Sequence, residues 1–469
     1  MRSRRDGADD GRRRRLTFFG VLALGQVVSL FGSRLTSFVI GVWVYQQTGS
    51  ATAFALIAFC AVVPEILLAP VAGSLVDRWD RRKALILGDT GAGIASAVLV
   101  GLAWTGTLEP IYVYALTAFS STCQSVQYPA LTASTTLLVP KRHLARANSL
   151  MELGFALVAL AAPALAGALL GTLGLTGVIL IDLGTFVVAL LTLGLVRIPR
   201  PRPAEEAGPG DETASLRRLL AEAWDGWRYV RRREGLLALL VFFAFLNFTM
   251  GLVQISLTPL VLSFSSAAVL GTIMSAAGGG FATGSLVTAV WGGPRRKVAS
   301  ILALFAVQGA VLFLGGLQPS AALIAGAAFF FTLFTPIIYA STQAIWQSKV
   351  APAIQGRVFA IRRMVAWSFM PFAYLVAGPL VDRVFGPALE EGGSLAGSVG
   401  RVIGVGPGRG VGLMFMVLGV VALALVVAGA LFRPLRRLET DLADAIDEDE
   451  GAAAERHVAN LKATTELSS

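Results

Sequence analysis

Twelve apolar runs, most of them about twenty residues or longer, follow one another along this 469-residue chain. They occupy roughly 17–45, 52–76, 84–105, 110–138, 149–173, 176–196, 236–262, 266–291, 298–317, 320–347, 359–381 and 411–432. At about 1.5 Å of rise per residue, about 20 apolar residues cross the hydrocarbon core of a bilayer as a helix. Composition agrees: 55% of residues are hydrophobic and 14% charged, where a soluble globular chain carries about 25% charge. The expected fold class is an all-α polytopic membrane protein.

The net charge is +10 at pH 7, which in a soluble chain would raise the question of nucleic acid. Its distribution answers differently. With the N-terminus placed inside, the inner segments are 1–16, 77–83, 139–148, 197–235, 292–297, 348–358 and 433–469. Together with Arg362 and Arg363 at a helix end, they hold every Lys and Arg except Arg34, Arg383, Arg401 and Arg409. That is the positive-inside pattern with all twelve crossings in register. Both termini are then cytoplasmic, and the basic balance sets topology without any nucleic-acid partner. The arginine-rich start resembles a signal peptide, but its apolar stretch continues past Arg34 to Tyr45, longer than such a segment runs. Cys60 and Cys123 fall in apolar runs, where packing is the expected role. His143 and His457 fall in inner segments, and no His/Cys spacing for a metal exists. No GxxxxGK[ST] loop occurs, so no ATP site, cofactor or metal is expected.

The stretch Gly73-Ser74-Leu75-Val76-Asp77-Arg78 closes the second run, and Gly378-Pro379-Leu380-Val381-Asp382-Arg383 closes the eleventh. Two looser copies begin at Gly284 in the eighth run and Gly167 in the fifth. Gly73 to Gly167 and Gly284 to Gly378 are both offset by 94 residues; Gly73 to Gly284 and Gly167 to Gly378 are both offset by 211. Each copy sits in the second helix of a triplet, 1–3, 4–6, 7–9 or 10–12. Three is odd, so neighbouring triplets are inverted in the membrane, the pattern of secondary transporters with 3+3 inverted repeats in each six-helix half. The expected layout is a basic tail at 1–16, one half at 17–196, a linker at 197–235, a second half at 236–432 and a tail at 433–469. Within the linker, Leu216 to Arg233 carries Trp224, Trp227 and Tyr229 among arginines, as an amphipathic helix on the inner leaflet would. The acidic stretch from Glu439 to Glu450 is expected to be solvated.

Gly73-x-Leu75-x-Asp77-Arg78-x-x-Arg81-Arg82 resembles the loop signature of the major facilitator superfamily. QGRVFAIRRM at 355–364 and GVGPGRG at 404–410 narrow the resemblance to its twelve-span drug and macrolide exporter branch, which includes siderophore exporters. The resemblance covers about residues 16 to 432, with Asp80 standing where the general signature has Gly. It implies a secondary active transporter of a bacterial cell membrane, working as a monomer and exporting lipophilic or amphipathic molecules by alternating access in exchange for protons. It also implies a gate: Asp77 accepts hydrogen bonds from the start of span 11, near Gln355-Gly356-Arg357, and so locks the inner face, with Gly73, Arg78, Arg81 and Arg82 around it. Ala162-Pro163-Ala164-Leu165-Ala166-Gly167 resembles a degraded Gly-Pro-x-x-Gly-Gly element of antiporters and favours exchange.

Ionisable groups inside spans are costly in hydrocarbon and are functional candidates by default. Arg34, Glu65, Asp89, Glu152 and Asp182 qualify. By helical rise, Arg34 lies roughly 25 Å and Glu65 roughly 16 Å from the inner ends of their spans. Burial favours a neutral carboxyl and a neighbouring arginine favours a charged one, so Glu65 beside Arg34 is the expected proton carrier, with a permanent Glu65–Arg34 pair as the structural alternative. Asp182 and Asp89 are further proton candidates, Asp182 also as a partner for Arg34. Spans 7 to 12 hold no Asp or Glu before Asp382. They supply neutral groups instead: Asn247, Gln254, Gln343 and Trp346 are the expected substrate-pocket residues, in a mostly apolar site suited to bulky amphiphiles. Import or lysolipid flipping by the same fold, and a non-transporting scaffold, are the alternatives. No histidine in a span and no long loop with a nucleophile set supports an enzyme.

Overall fold

The apolar runs are helical in the computed structural model, which describes residues 2–140, 143–196, 224, 226–350 and 352–442. The principal helices are α1 (Arg2–Thr48), α2 (Ala51–Arg78), α3 (Arg81–Trp104), α4 (Pro110–Gln124), α5 (Gln127–Leu138), α6 (Leu144–Leu195), α7 (Glu234–Leu262), α8 (Ala267–Trp291), α9 (Lys297–Leu317), α10 (Ala321–Lys349), α11 (Pro352–Pro379) and α12 (Arg409–Leu431). Among the described residues, ten helices are long and apolar enough to cross a membrane. Two departures from the expected runs separate ten from twelve. The run 110–138 is broken between α4 and α5, because Pro129 has no N–H and its ring excludes the Ser125 carbonyl from a continuous helix. The runs 149–173 and 176–196 are joined in the 52-residue α6, whose ladder is interrupted at Gly174 with φ 68° and ψ −177°, a backbone conformation that only glycine adopts cheaply.

Buried apolar residues form clusters whose membership shows which helices pack together. One cluster lies wholly within α1–α6, with Leu22, Ala72, Leu85, Leu138 and Leu193. Another lies within α7–α12 and the segments flanking them, with Val230, Leu239, Phe305, Trp346 and Leu438. A third crosses between the groups, joining Val42, Ala51 and Ala55 to Leu252, Leu260, Ile273, Tyr374 and Val381. This third cluster gathers the ends of α1, α7 and α11 and the start of α2, so the groups meet at that face of the bundle. At the opposite face the apolar clusters stay within their own group.

The meeting face is closed by the second copy of the repeated motif. A π-helical turn, Leu380–Phe385, continues α11 and carries Asp382. Its carboxylate accepts from Ser50 Oγ at 2.7 Å, Ala51 N at 3.0 Å, Thr52 N at 2.9 Å and Thr52 Oγ1 at 2.7 Å. It therefore caps the start of α2 from across the molecule, where free N–H groups and the helix dipole favour an anion. Gly378 makes the approach possible: a Cβ there would strike the backbone of Thr52. The other described motif glycines also sit at crossings, Gly167 against Ala267 of α8 and Gly284 against Leu333 of α10, as small residues allow in membranes. Of the first copy, the side chains of Gly73, Asp77 and Arg78, together with Arg357, lie outside the described residues. Asp80 takes an ordinary extended conformation and caps α3, accepting from Arg82 N at 3.0 Å, so a glycine is not needed there.

Two expectations about the inner segments change. After α12, α13 (Arg433–Arg436) and α14 (Leu438–Asp441) dock on the bundle with Leu435 and Leu438 buried. Glu439 is not solvated: its carboxylate caps α9, accepting from Lys297 N and Val298 N at 3.0 Å each. Lys349 Nζ donates to the carbonyls of Glu439 at 2.7 Å and Leu442 at 2.5 Å. Half of the linker's amphipathic stretch, 216–223 and 225, lies outside the described residues, and its end packs on the bundle. Val230 is buried, Trp227 and Tyr229 pack on the α7–α12 cluster, and the Tyr229 hydroxyl donates to Lys349 O at 3.3 Å.

Asp382→Asn should loosen the meeting face, because a charge-assisted cap is worth roughly 1.5–3 kcal/mol. In a protein with Cys60 and Cys123 replaced and Ala55→Cys added, maleimide labelling at position 55 should rise about tenfold; an unchanged labelling rate means the cap does not hold this face shut.

Candidate functional site

Between the two helix groups lies a cavity of about 750 Å³, lined mainly by α1, α2, α5 and α6 and by Thr258, Leu270 and Met274 of α7 and α8. A second space of about 400 Å³ adjoins it, reaching α3, Gln254 and Tyr374. Ser33, Arg34, Ser37 and Glu65 line both spaces, and Phe38 lines the larger. α6 and α8 form part of the wall, packed so tightly that a Cβ on Gly271 would strike Pro163 O and one on Gly278 would lie 3.2 Å from Leu160 Cα. Pro163 of the degraded antiporter element therefore marks this crossing, where Ala164 N donates to Ser275 Oγ at 3.2 Å.

Glu65 and Arg34 share the cavity but make no ion pair or hydrogen bond with each other; both are exposed to it. The permanent pair is thus absent, and Asp182 is not Arg34's partner either. Asp182 is 1% exposed and accepts from Ser96 Oγ at 2.9 Å, while its Oδ1 has no partner. It lines the smaller space with Ser33, Thr36 and Ser96. Asp89 is 0% exposed and accepts from Gln26 Nε2 at 2.9 Å, Gln127 Nε2 at 2.7 Å and Ser29 Oγ at 3.3 Å. It lines neither space. Glu152 is exposed and also lines neither. The N-terminal helices thus bury two carboxylates beside neutral donors alone, at positions where an unpaired charge is expensive.

Of the expected pocket residues, Gln254 lines the smaller space, its Oε1 accepting from Tyr374 OH at 3.0 Å. Asn247 is tied into the C-terminal group, donating to Phe243 O at 2.8 Å and accepting from Tyr339 OH at 3.2 Å. Gln343 accepts from Arg362, and Trp346 is 0% exposed beneath the same guanidinium. These three are held by neighbours within the C-terminal group and line neither space. The polar wall that sequence reasoning missed is Gln26, Ser29, Ser33 and Ser37 on α1, facing Gln124 and Gln127. Its signal was legible as helical spacing: polar residues three or four apart form one stripe along an apolar helix.

Of the gate residues, Arg81 donates to Trp79 O at 3.1 Å. Arg82 donates to Leu193 O at 2.7 Å and Gly194 O at 2.9 Å, capping the end of α6. Arg409, within the 404–410 glycine motif, does the same at the end of α9, donating to Leu317 O at 2.6 Å and Gly316 O at 3.4 Å. Among the described residues no cluster of His, Cys, Asp and Glu could hold a metal ion.

Macrolide efflux protein A of Streptococcus pyogenes is 28% identical to this chain over 382 residues, 79% of this chain and 90% of that protein. The multidrug efflux pump Tap of Mycobacterium tuberculosis is 25% identical over 364 residues, 72% of this chain and 81% of that protein. In fold, the chain resembles a bacterial homologue of the human lysosomal transporter Spinster in an inward-facing, unoccupied conformation, with a TM-score of 0.64 at 15% identity over 91% of this chain and 98% of that one. These relatives point to a transporter rather than an enzyme, in a multi-pass membrane protein. The family model described as Major Facilitator Superfamily matches residues 22–375, and the chain belongs to that superfamily.

Proposed function

We propose that this protein exports amphipathic small molecules by alternating access, in exchange for protons. The observation that carries the reading is the cavity of about 750 Å³ between the two helix groups, closed at one face by Asp382 and the shared apolar cluster. Its apolar walls and few polar groups suit a bulky amphiphile rather than a sugar, which requires many polar partners. The efflux relatives support the direction of transport. In this reading residues 17–196 and 236–432 form two six-helix halves, α6 crosses twice about Gly174, and α4 and α5 together cross once. The face carrying both termini is cytoplasmic, and the cavity faces it. Asp77 caps the start of α11 near Arg357 when that face closes, as the Asp382 cap does for α2 on the opposite face.

Asp182 is a better proton carrier than Glu65. Glu65 stands in the open cavity, where water screens its charge and a ligand can meet it. Asp182 stands behind it, nearly dry and without a cation, with one oxygen free. Ionised, it would require compensation that only Arg34, which lines the same smaller space, or entering water can supply. Rearrangement between open and closed states changes both, and so couples its proton to the cycle.

Two measurements test the reading. In proteoliposomes with an imposed pH gradient, a lipophilic amine should evoke proton flux in the wild type; Asp182→Asn should lower it by about tenfold or more, and Glu65→Gln should weaken substrate affinity while coupling persists. Flux lost in Glu65→Gln and kept in Asp182→Asn returns the carrier to Glu65. Ala159→Trp, pointing a ring into the cavity from α6, should weaken binding of bulky ligands about tenfold with a normal melting temperature; unchanged affinity would place the substrate elsewhere.

A further inference from the structure

Two cavity glutamines answer to one carboxylate behind the wall. Asp89 on α3 is sealed from solvent, yet its three donors, Gln26 and Ser29 of α1 and Gln127 of α5, all line the larger cavity. A carboxylate in this role only accepts hydrogen bonds, so each amide must turn its nitrogen toward Asp89 and its carbonyl oxygen away. Gln127 has little freedom to do otherwise, because its side chain lies flat over Gly88 of α3: a Cβ on that glycine would sit 2.9 Å from Gln127 Cδ. The Oε1 atoms of Gln26 and Gln127 make no hydrogen bond within the protein, and neither is closed off from the cavity.

Two further polar groups of the wall are turned the same way, while Arg34 and Tyr128 bring donors to the same space. Gln124 Nε2 donates to Ser120 Oγ at 2.7 Å, and Ser37 Oγ donates to Ser33 O at 2.7 Å. Ser29 gives its single hydroxyl hydrogen to Asp89. The hydrogens of these groups point into the protein and leave their lone pairs for whatever occupies the space, beside the Glu65 carboxylate and the Arg34 guanidinium. Opposite stand Leu270 and Met274 of α8.

We infer that Asp89 is a positioning residue: by holding Gln26 and Gln127 it makes the cavity select amphiphiles that carry a hydrogen-bond donor, a protonated amine or a hydroxyl, over equally bulky and equally charged molecules that lack one. The inference rests on the reading of this cavity as the substrate site. A site built to meet a substrate's N–H or O–H discriminates strongly against the analogue without it, since its own buried groups are then left unpaired.

A matched pair of probes isolates that single donor. A fluorescent lipophilic tertiary amine, measured at a pH where it is protonated, has one N–H; its N-methylated quaternary counterpart has the same charge, nearly the same bulk and none. Affinities are measured on the purified full-length protein in detergent, with no gradient. The wild type should bind the tertiary amine about tenfold tighter. Asp89→Asn replaces one accepting oxygen with an NH2, so the glutamine that donated to that oxygen turns over and the ratio falls to near one, while affinity for the quaternary compound stays within about twofold.

Loss of affinity for both compounds alike would mark Asp89 as merely structural and overturn the proposal, as would a ratio that survives in folded Asp89→Asn. So would a wild type that binds both equally, or neither. Should Asp89→Asn fail to fold, Gln26→Met and Gln127→Met decide: a ratio kept in both overturns the inference, and one reduced in either upholds it. Failure of the export reading is read separately, as absent gradient-driven flux in proteoliposomes with the binding ratio intact.

Discussion

A helix that ends at the edge of hydrocarbon leaves its last carbonyls or first N–H groups without partners, and the scarce charges of this chain are placed on those ends. Asp382 caps the start of α2, and Glu439 caps the start of α9. Arg82 caps the end of α6, and Arg409 caps the end of α9. Anions meet N-termini and cations meet C-termini in every case, each from a different element than the one it caps. Three of these ties stay within one helix group. Of these four, the Asp382 tie alone runs from one group to the other.

That difference gives the repeated Gly-x-Leu-Val-Asp-Arg a physical meaning. Near each copy an arginine at the start of the following helix, Arg82 before α3's first turn is complete and Arg409 at the start of α12, clamps a neighbouring helix end within its own group. The aspartate of the second copy reaches across. A glycine four residues before it removes the side chain that would hold α11 away from Thr52. Tyr45 OH, 3.5 Å from Pro259 O, closes the same face between α1 and α7.

Much of this was legible in the sequence because hydrocarbon thickness imposes a length. The expected boundaries at 176, 236, 266, 298 and 411 fall within a few residues of breaks or helix starts in the structure. Pro129 was legible too, but as a single residue inside a long apolar run it gave no warning that the run would divide at Ser125. The site was harder to read. Asp89 reads in one dimension as a further proton candidate; in three it is wrapped by two other helices. Asn247, Gln343 and Trp346 looked like pocket residues because polar or indole groups stand out in apolar runs, yet each faces a neighbour in its own group. Gln26 and Gln127 drew no attention because a neutral amide gains its significance from the carboxylate behind it, and that carboxylate is 63 residues away from one and 38 from the other.

The cavity's polar contacts come almost entirely from α1–α6, while α7 and α8 contribute Thr258, Leu270 and Met274. In the proposed cycle the two groups rock against each other largely as rigid bodies. A ligand held by Gln26, Gln127 and Glu65 then keeps the same polar partners in both states, and a ligand shifts an equilibrium only by its difference in affinity between them. Those contacts select what binds without favouring either state. The bias must come from what changes between the groups: the apolar surface of α7 and α8 that covers or uncovers the ligand, the hydration of Asp182, and the Asp382 cap. Recognition and switching are thereby assigned to different atoms, which lets the wall vary its ligand without altering the latch.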